Sequence, residues 1–275
     1  MVTEGLPAGW LIPDWPAPRS VRAVFTSRAA GVSLPPFDSM NLGDHVGDIP
    51  AHVAANRALL QQATCTRAVF LNQMHGREVL ALAAETPDGQ AADACVTAQR
   101  KLACTVMVAD CLPVLLSTRE GDAVAAAHAG WRGLAGSGTP DGIGVLAAVY
   151  ASFSALVQQL RPHAAIETIA WMGPCIGPAV FEVGAEVKAA FEAADPRAAR
   201  CFHAIEAAKY LADLPALARL QLRALGITQV YGNDGSAPWC TVGNPLRFFS
   251  HRRDAGPGGN GFGTTGRMAA SIWLE

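Results

Sequence analysis

The sequence predicts an α/β (α+β) sandwich, with mixed β-sheets and flanking helices in a single domain. Three observations lead there. The runs LACTVMVAD, LPVLLST and DAVAAAHA are short, continuous and apolar, as strands buried on both faces are. Segments of helical spacing alternate with strand-like ones. No Pro/Ser/Gly linker or block of one charge divides the 275 residues, of which 51% are apolar and 16% charged.

Residues 1–20 carry four of the eighteen prolines and predict an irregular lead-in, leaving residues 21–275 as the catalytic domain. VRAVFTS then reads as a strand and residues 52–63 as a helix. RAVFLNQ and REVLALA are strands either side of the polar break Met74-His75-Gly76, which puts His75 at a turn. After the three buried runs, Cys111 and His128 fall at strand ends. Residues 141–159 have helical spacing behind Pro140, with Asp141 near the positive end of the helix dipole. IETIAWMG is a strand, residues 182–194 and 209–225 are helices, the second stopped by Gly226, and ITQVYG is a strand. FFSHRR, a glycine-rich connection over residues 255–266 and MAASIWL read as a hairpin with an enlarged loop.

The net charge is -2 and basic residues are scattered, which argues against a nucleic-acid surface. The start lacks the basic-then-apolar pattern of a secretory signal, and the apolar stretch 102–116 contains Asp110 and Pro113 and is too short to span a bilayer. A cytoplasmic protein without a membrane partner is expected. Seven cysteines without C-x-x-C spacing suggest reduced thiols, Cys65, Cys95, Cys104 and Cys201 as small apolar residues and Cys175 in the tight turn GPCIGP.

Phosphate-loop, H-E-x-x-H and G-x-S-x-G patterns do not occur, and GGNGFG lacks the strand and helix of a dinucleotide site. Three polar islands remain: NQMHG, ADC and HAGWRG. Each histidine alone is explained by a hydrogen-bonded turn. Together His75, Cys111 and His128 offer two imidazoles and a thiolate, donors suited to zinc or copper, with a coordination position left open for water or substrate. Asp110 is a candidate to orient them. The same residues also fit a Cys111 nucleophile with a histidine base, and spacing alone leaves both readings open.

These islands, with SRAAGVSLPPFDSMNLGDHVGD, NRALL, ADCLPVLL, HAGWRGL, GPCIGPAVFEVG, SHRRD and TGR, resemble the YfiH/laccase-domain family along almost the whole chain. The resemblance implies a purine nucleoside phosphorylase with adenosine deaminase and methylthioadenosine phosphorylase activity. The family's older name is multicopper polyphenol oxidase, and a bacterial branch is linked to editing of peptidoglycan precursors. Its zinc ligands fall on His75, Cys111 and His128. Two departures bear on the substrate-side wall: His251 stands where tyrosine is usual before the paired arginines, and the 255–266 loop is longer than usual.

The expected partners are therefore purine nucleosides and phosphate, with zinc as cofactor and copper as the second metal the name suggests. Phosphorolysis needs a cation beside the ribose. Arg28 is the first choice, Arg57 and Arg252 the next, and Asn41 and Gln73 are candidates for hydrogen bonds to ribose or base. A cysteine hydrolase acting on a peptidoglycan precursor through Cys111 is the alternative. A copper oxidase ranks below it, because the other histidines are isolated.

Overall fold

The computed structural model describes residues 6–139, 141–163, 165–256 and 258–275. Residues 1–5 of the expected lead-in, Pro140 ahead of the third helix, Ala164, and Pro257 in the glycine-rich connection lie outside them. Two large sheets pack face to face. One has four strands, in the order β1 (Val21–Phe25), β13 (Met268–Leu274), β5 (Leu102–Val108) and β2 (Arg67–Phe70). The other has six, in the order β12 (Gln229–Gly232), β8 (Thr168–Met172), β6 (Leu112–Thr118), β7 (Val124–Ala129), β4 (Ala94–Thr97) and β3 (Val79–Ala81). A small antiparallel sheet joins β10 (Phe202–Glu206), β11 (Lys209–Ala212) and β9 (Glu182–Gly184).

The period of two along each strand decides which layer a side chain enters. Leu102, Cys104, Val106 and Val108 of β5 meet Leu115, Val124, Ala126 and Trp171 of the six-stranded sheet and form the inter-sheet core. Ala103 and Met107, on the opposite face of β5, pack with Leu60 of α1 (Pro50–Thr64). The outer face of the six-stranded sheet, with Val114, Leu116, Ala125 and Ala127, is covered by Val149, Phe153 and Val157 of α3 (Val145–Leu160). Phe191 of α4 (Ala185–Ala194) and Leu217 of α5 (Leu214–Ala224) join the same core. The result is a helix–sheet–sheet–helix sandwich of mixed strands, the fold class the sequence predicts. The three continuous apolar runs are buried as expected, except for the half-buried Asp122 that opens the third.

Several element boundaries differ from expectation. Residues 209–212 form β11 rather than the first turn of a helix, because Asp213 accepts a hydrogen bond from Ala216 N and Pro215 follows, so α5 starts at Leu214. Residues 182–184 likewise pair with β11 before α4 begins. Asp141 precedes α3 instead of opening it: its carboxylate caps Ile143 N in a bend where Gly142 has φ +68°, and the helix starts after Gly144. The closing hairpin does not form. β13 lies between β1 and β5, and residues 251–254 are a short helix, α6 (His251–Asp254), so the 255–266 connection joins a helix to a central strand. β4 and β10 are additional strands. All seven cysteines are free, and among the described residues no helix is long and apolar enough to cross a membrane.

Candidate active site

Topology brings the three polar islands to one end of the sandwich. β2 and β5 run parallel, so their carboxyl ends emerge together, and from both the chain crosses to the six-stranded sheet. His75 lies on the first crossing and Cys111 on the second. β6 and β7 are antiparallel with Leu112 opposite Ala129, which sets Cys111, just before β6, beside the carboxyl end of β7. His128 shares its face of β7 with Val124 and Ala126, so its ring turns inward between the sheets. The donor atoms of His75, Cys111 and His128 all lie within 4.8 Å of one another. The two imidazoles meet edge to face with centroids 4.8 Å apart.

One carboxylate holds two of these residues. Asp93, 1% exposed, places Oδ1 2.8 Å from His128 Nδ1 and accepts 2.9 Å from His75 N. Its Oδ2 accepts from Met74 N at 3.1 Å and Gly76 N at 2.7 Å. The loop thus wraps around a buried anion, and His75 is held with φ +58°. With Asp93 on Nδ1, the His128 Nε2 is left to face Cys111 and His75 as a ligand atom. Burial pushes the Asp93 carboxyl up, but the His128 bond and charge and the loop amides outweigh it and bring the pKa below its usual value.

Burial likewise pushes the Cys111 thiol up, yet the charges and hydrogen bonds of His128 and His75 prevail and bring it down to about 6. Burial pushes His128 down, and the Cys111 thiolate and Asp93 overcome this and raise it to about 9. Both shifts favour the pair of Cys111 thiolate and His128 imidazolium over the neutral pair. A thiolate is the form that binds metal, and a cation entering the site replaces the imidazolium proton. Gly130 leaves room for the two side chains: a Cβ there would come 3.0 Å from Cys111 Sγ and 3.1 Å from His75 Cδ2. Two N and one S donor, preformed and braced behind, fit a catalytic zinc site.

The triad borders a cavity of about 350 Å³ whose walls include Gln73, Trp131, Ile176, Phe181, Arg252 and Arg267. Of the sequence-derived substrate residues, Gln73 and Arg252 line it. Gln73 spends its amide on both backbone groups of Met107, extending the β2–β5 pairing to the foot of the His75 loop. Arg252 directs both terminal nitrogens at Glu182 O and lies over the Phe181 ring.

The structure does not bring Arg28, Asn41 and Arg57 to this cavity. Arg28 lies on a separate depression, bonded to Asp38 and to the carbonyls of Asp38 and Pro245. Asn41 is fully buried and bonds Gly43, Asp48 and Arg267 N. Arg57 reaches Leu42 O and Asp44 and covers the Phe70 ring. Asp110 lines the cavity, but its oxygens take Thr241 Oγ1 and Arg252 N, and it is Asp93 that bonds His128 and the His75 loop. Asp93 carries no sequence signal beyond its place before a strand. Arg267 stands in the TGR motif, where its identity alone does not tell cavity from surface. His251 lines the cavity as the departure from tyrosine suggests.

The family model described as multi-copper polyphenol oxidoreductase laccase matches residues 22–275. A protein of Escherichia coli (strain K12) named purine nucleoside phosphorylase YfiH is 44% identical over 266 residues, 96% of this chain and 98% of its own. A Pseudomonas aeruginosa protein, purine nucleoside phosphorylase PA4543, is 43% identical over 267 residues, 97% of this chain and 98% of its own. The crystal structure of Neisseria meningitidis protein NMB0706 superposes with a TM-score of 0.82 at 45% identity, over 97% of this chain and 99% of that one. Matching in sequence and fold over nearly its full length, the chain belongs to the YfiH/laccase-domain family.

Proposed function

We propose that the chain is a zinc-dependent purine nucleoside phosphorylase acting on adenosine, inosine and methylthioadenosine, with adenosine deamination at the same site. The observation that carries this reading is the convergence of His75, Cys111 and His128 on the wall of a cavity, with Asp93 braced behind them. The names of relatives more than 40% identical supply the substrate class. Zinc held by these residues supplies Lewis acidity and an open coordination position. Asp93 keeps the His128 proton on Nδ1 and fixes its ring. Trp131, Ile176 and Phe181 supply apolar and aromatic walls that suit a purine ring and exclude water from it.

The lowered thiol of Cys111 also suits a nucleophile, the alternative hydrolase reading. The named relatives favour the phosphorylase. Among the described residues one group of three or more His, Cys, Asp or Glu is disposed to hold a metal, which favours a mononuclear site over a multicopper oxidase. The test is phosphate-dependent release of hypoxanthine from inosine by zinc-loaded protein. Release that proceeds without phosphate, or not at all, overturns the reading.

A further inference from the structure

Phosphorolysis consumes an anion, and the arginines chosen from sequence are engaged elsewhere or only at the rim. Arg267 differs from them. It immediately precedes β13 and lines the same cavity as His75, Cys111 and His128. Its Nη1 donates to Thr265 O at 2.8 Å and Gly266 O at 3.3 Å. Among the described residues it has no carboxylate partner, whereas Arg28, Arg57, Arg77, Arg161 and Arg253 each have one. Among the described residues Nε and Nη2 also have no partner, and neither is a buried unpaired atom. These two nitrogens form the side edge of the guanidinium, the fork that matches two oxygens of a tetrahedral anion.

The surroundings are built around this side chain. Asn41 Oδ1 accepts from Arg267 N at 2.9 Å and from Gly43 N at 2.9 Å, tying the SMNLGD loop to the TGR segment. A Cβ on Gly43 would lie 2.7 Å from Arg267 Cγ, so glycine there leaves the channel through which the arginine enters. The nearby anionic groups are spoken for. Asp110 is bonded to Thr241 and Arg252 N, and Cys111 faces its two histidines. Asn41, read from sequence as a substrate contact, acts here as the brace of a charged one.

We propose that Arg267 holds the phosphate co-substrate, presenting its free Nε–Nη2 edge to two phosphate oxygens across the cavity from the His75–Cys111–His128 triad. This rests on the phosphorylase reading. A third phosphate oxygen bonds to ribose C1′ as the C1′–N9 bond breaks. The electron pair leaves on the purine, the purine takes up the proton that phosphate gives up, and ribose 1-phosphate remains. Arg267 touches the attacking group and offsets its charge without taking part in the proton transfer.

The experiment compares zinc-loaded wild type with Arg267→Met, Arg267→Lys and Arg28→Ala. Inosine phosphorolysis is followed at varied phosphate, inorganic phosphate binding is measured directly by calorimetry, and zinc content is determined for each. Loss of a charge-assisted pair predicts a phosphate KM raised at least about tenfold in Arg267→Met, with zinc content and inosine KM near wild type. Arg267→Lys, which keeps the charge and loses the fork, falls between, and it decides the matter if Arg267→Met does not fold. An unchanged phosphate KM in the Arg267 variants, or a larger rise in Arg28→Ala, overturns the proposal. If wild type shows no phosphorolysis, the phosphorylase reading fails and calorimetry alone judges Arg267. Phosphate bound by wild type and lost in the variants supports the site; equal or absent binding refutes it.

Discussion

Replacing Asp93 by asparagine removes one oxygen's worth of acceptor from a residue that uses all of its capacity. Oδ1 serves His128 Nδ1 and His75 N, and Oδ2 serves Met74 N and Gly76 N. Either amide orientation turns an NH2 group towards two donors. The orientation of lower cost keeps the amide oxygen on the loop N–H groups and faces the NH2 to His128, which accepts only by moving its proton from Nδ1 to Nε2. That tautomer has no lone pair for a metal, and His75 N loses its partner as well. Loss of such a bracing carboxylate costs about 10–100-fold in metal affinity, or about 1.4–2.7 kcal/mol. The unsatisfied buried amide costs about 1–3 kcal/mol of stability. We expect zinc competition with a chromophoric chelator to show the affinity loss, and 15N spectra of the zinc-free protein to show His128 without the Nδ1 proton that Asp93 holds in the wild type. Faster amide exchange at Met74, His75 and Gly76 should accompany it. Unchanged zinc affinity and unchanged exchange in a folded Asp93→Asn protein would mean that Asp93 does not brace the triad.

Three further outcomes follow from the geometry. Gly130→Ala forces Cys111 or His75 to yield by a few tenths of an ångström, more than the roughly 0.2 Å that metal–ligand distances tolerate; zinc affinity falls while the melting temperature of the metal-free protein stays close to wild type, and an unaltered affinity contradicts this. Cys111→Ser lowers zinc content and turnover together if the thiolate is a ligand, whereas retained zinc with lost turnover, or a covalent adduct trapped on wild-type Cys111, identifies a nucleophile. Asp254 is pushed up by burial, but Arg253, Thr265 and Ser250 N outweigh this and hold its pKa below the usual carboxylate value. Its contribution is complete above that value and is lost as pH falls through the depressed one, so Asp254→Asn lowers the melting temperature at pH 7 and converges with wild type in strong acid; an equal gap at both pH values disproves it.

The three candidate site residues were legible in the sequence because each interrupts an apolar run. His75, Cys111 and His128 stand out as polar groups where strands end, and parallel and antiparallel pairing brings those ends together. Continuous apolar runs also point to the sandwich, since LACTVMVAD and its neighbours are buried on both faces. What sequence did not disclose depends on partners distant along the chain. Asp93 acquires its meaning only from the loop folded over it, and Arg267 only from the Asn41–Gly43 loop 226 positions away in bonding separation. Arg28 looked suited to an anion until Asp38 and two carbonyls claimed its donors. The 209–225 segment misled for a local reason: its amphipathic start fits a strand as well as a helix, and the cap at Asp213 decides between them.

The proposed zinc-dependent phosphorolysis at the triad is tested most directly by stripping the full chain with chelator and following inosine phosphorolysis as zinc is returned in known equivalents. Stripped protein should show no turnover, and activity should rise and level off at about one zinc per chain, with no such rise in Cys111→Ser. Turnover that survives metal removal, or a plateau unrelated to zinc equivalents, contradicts it.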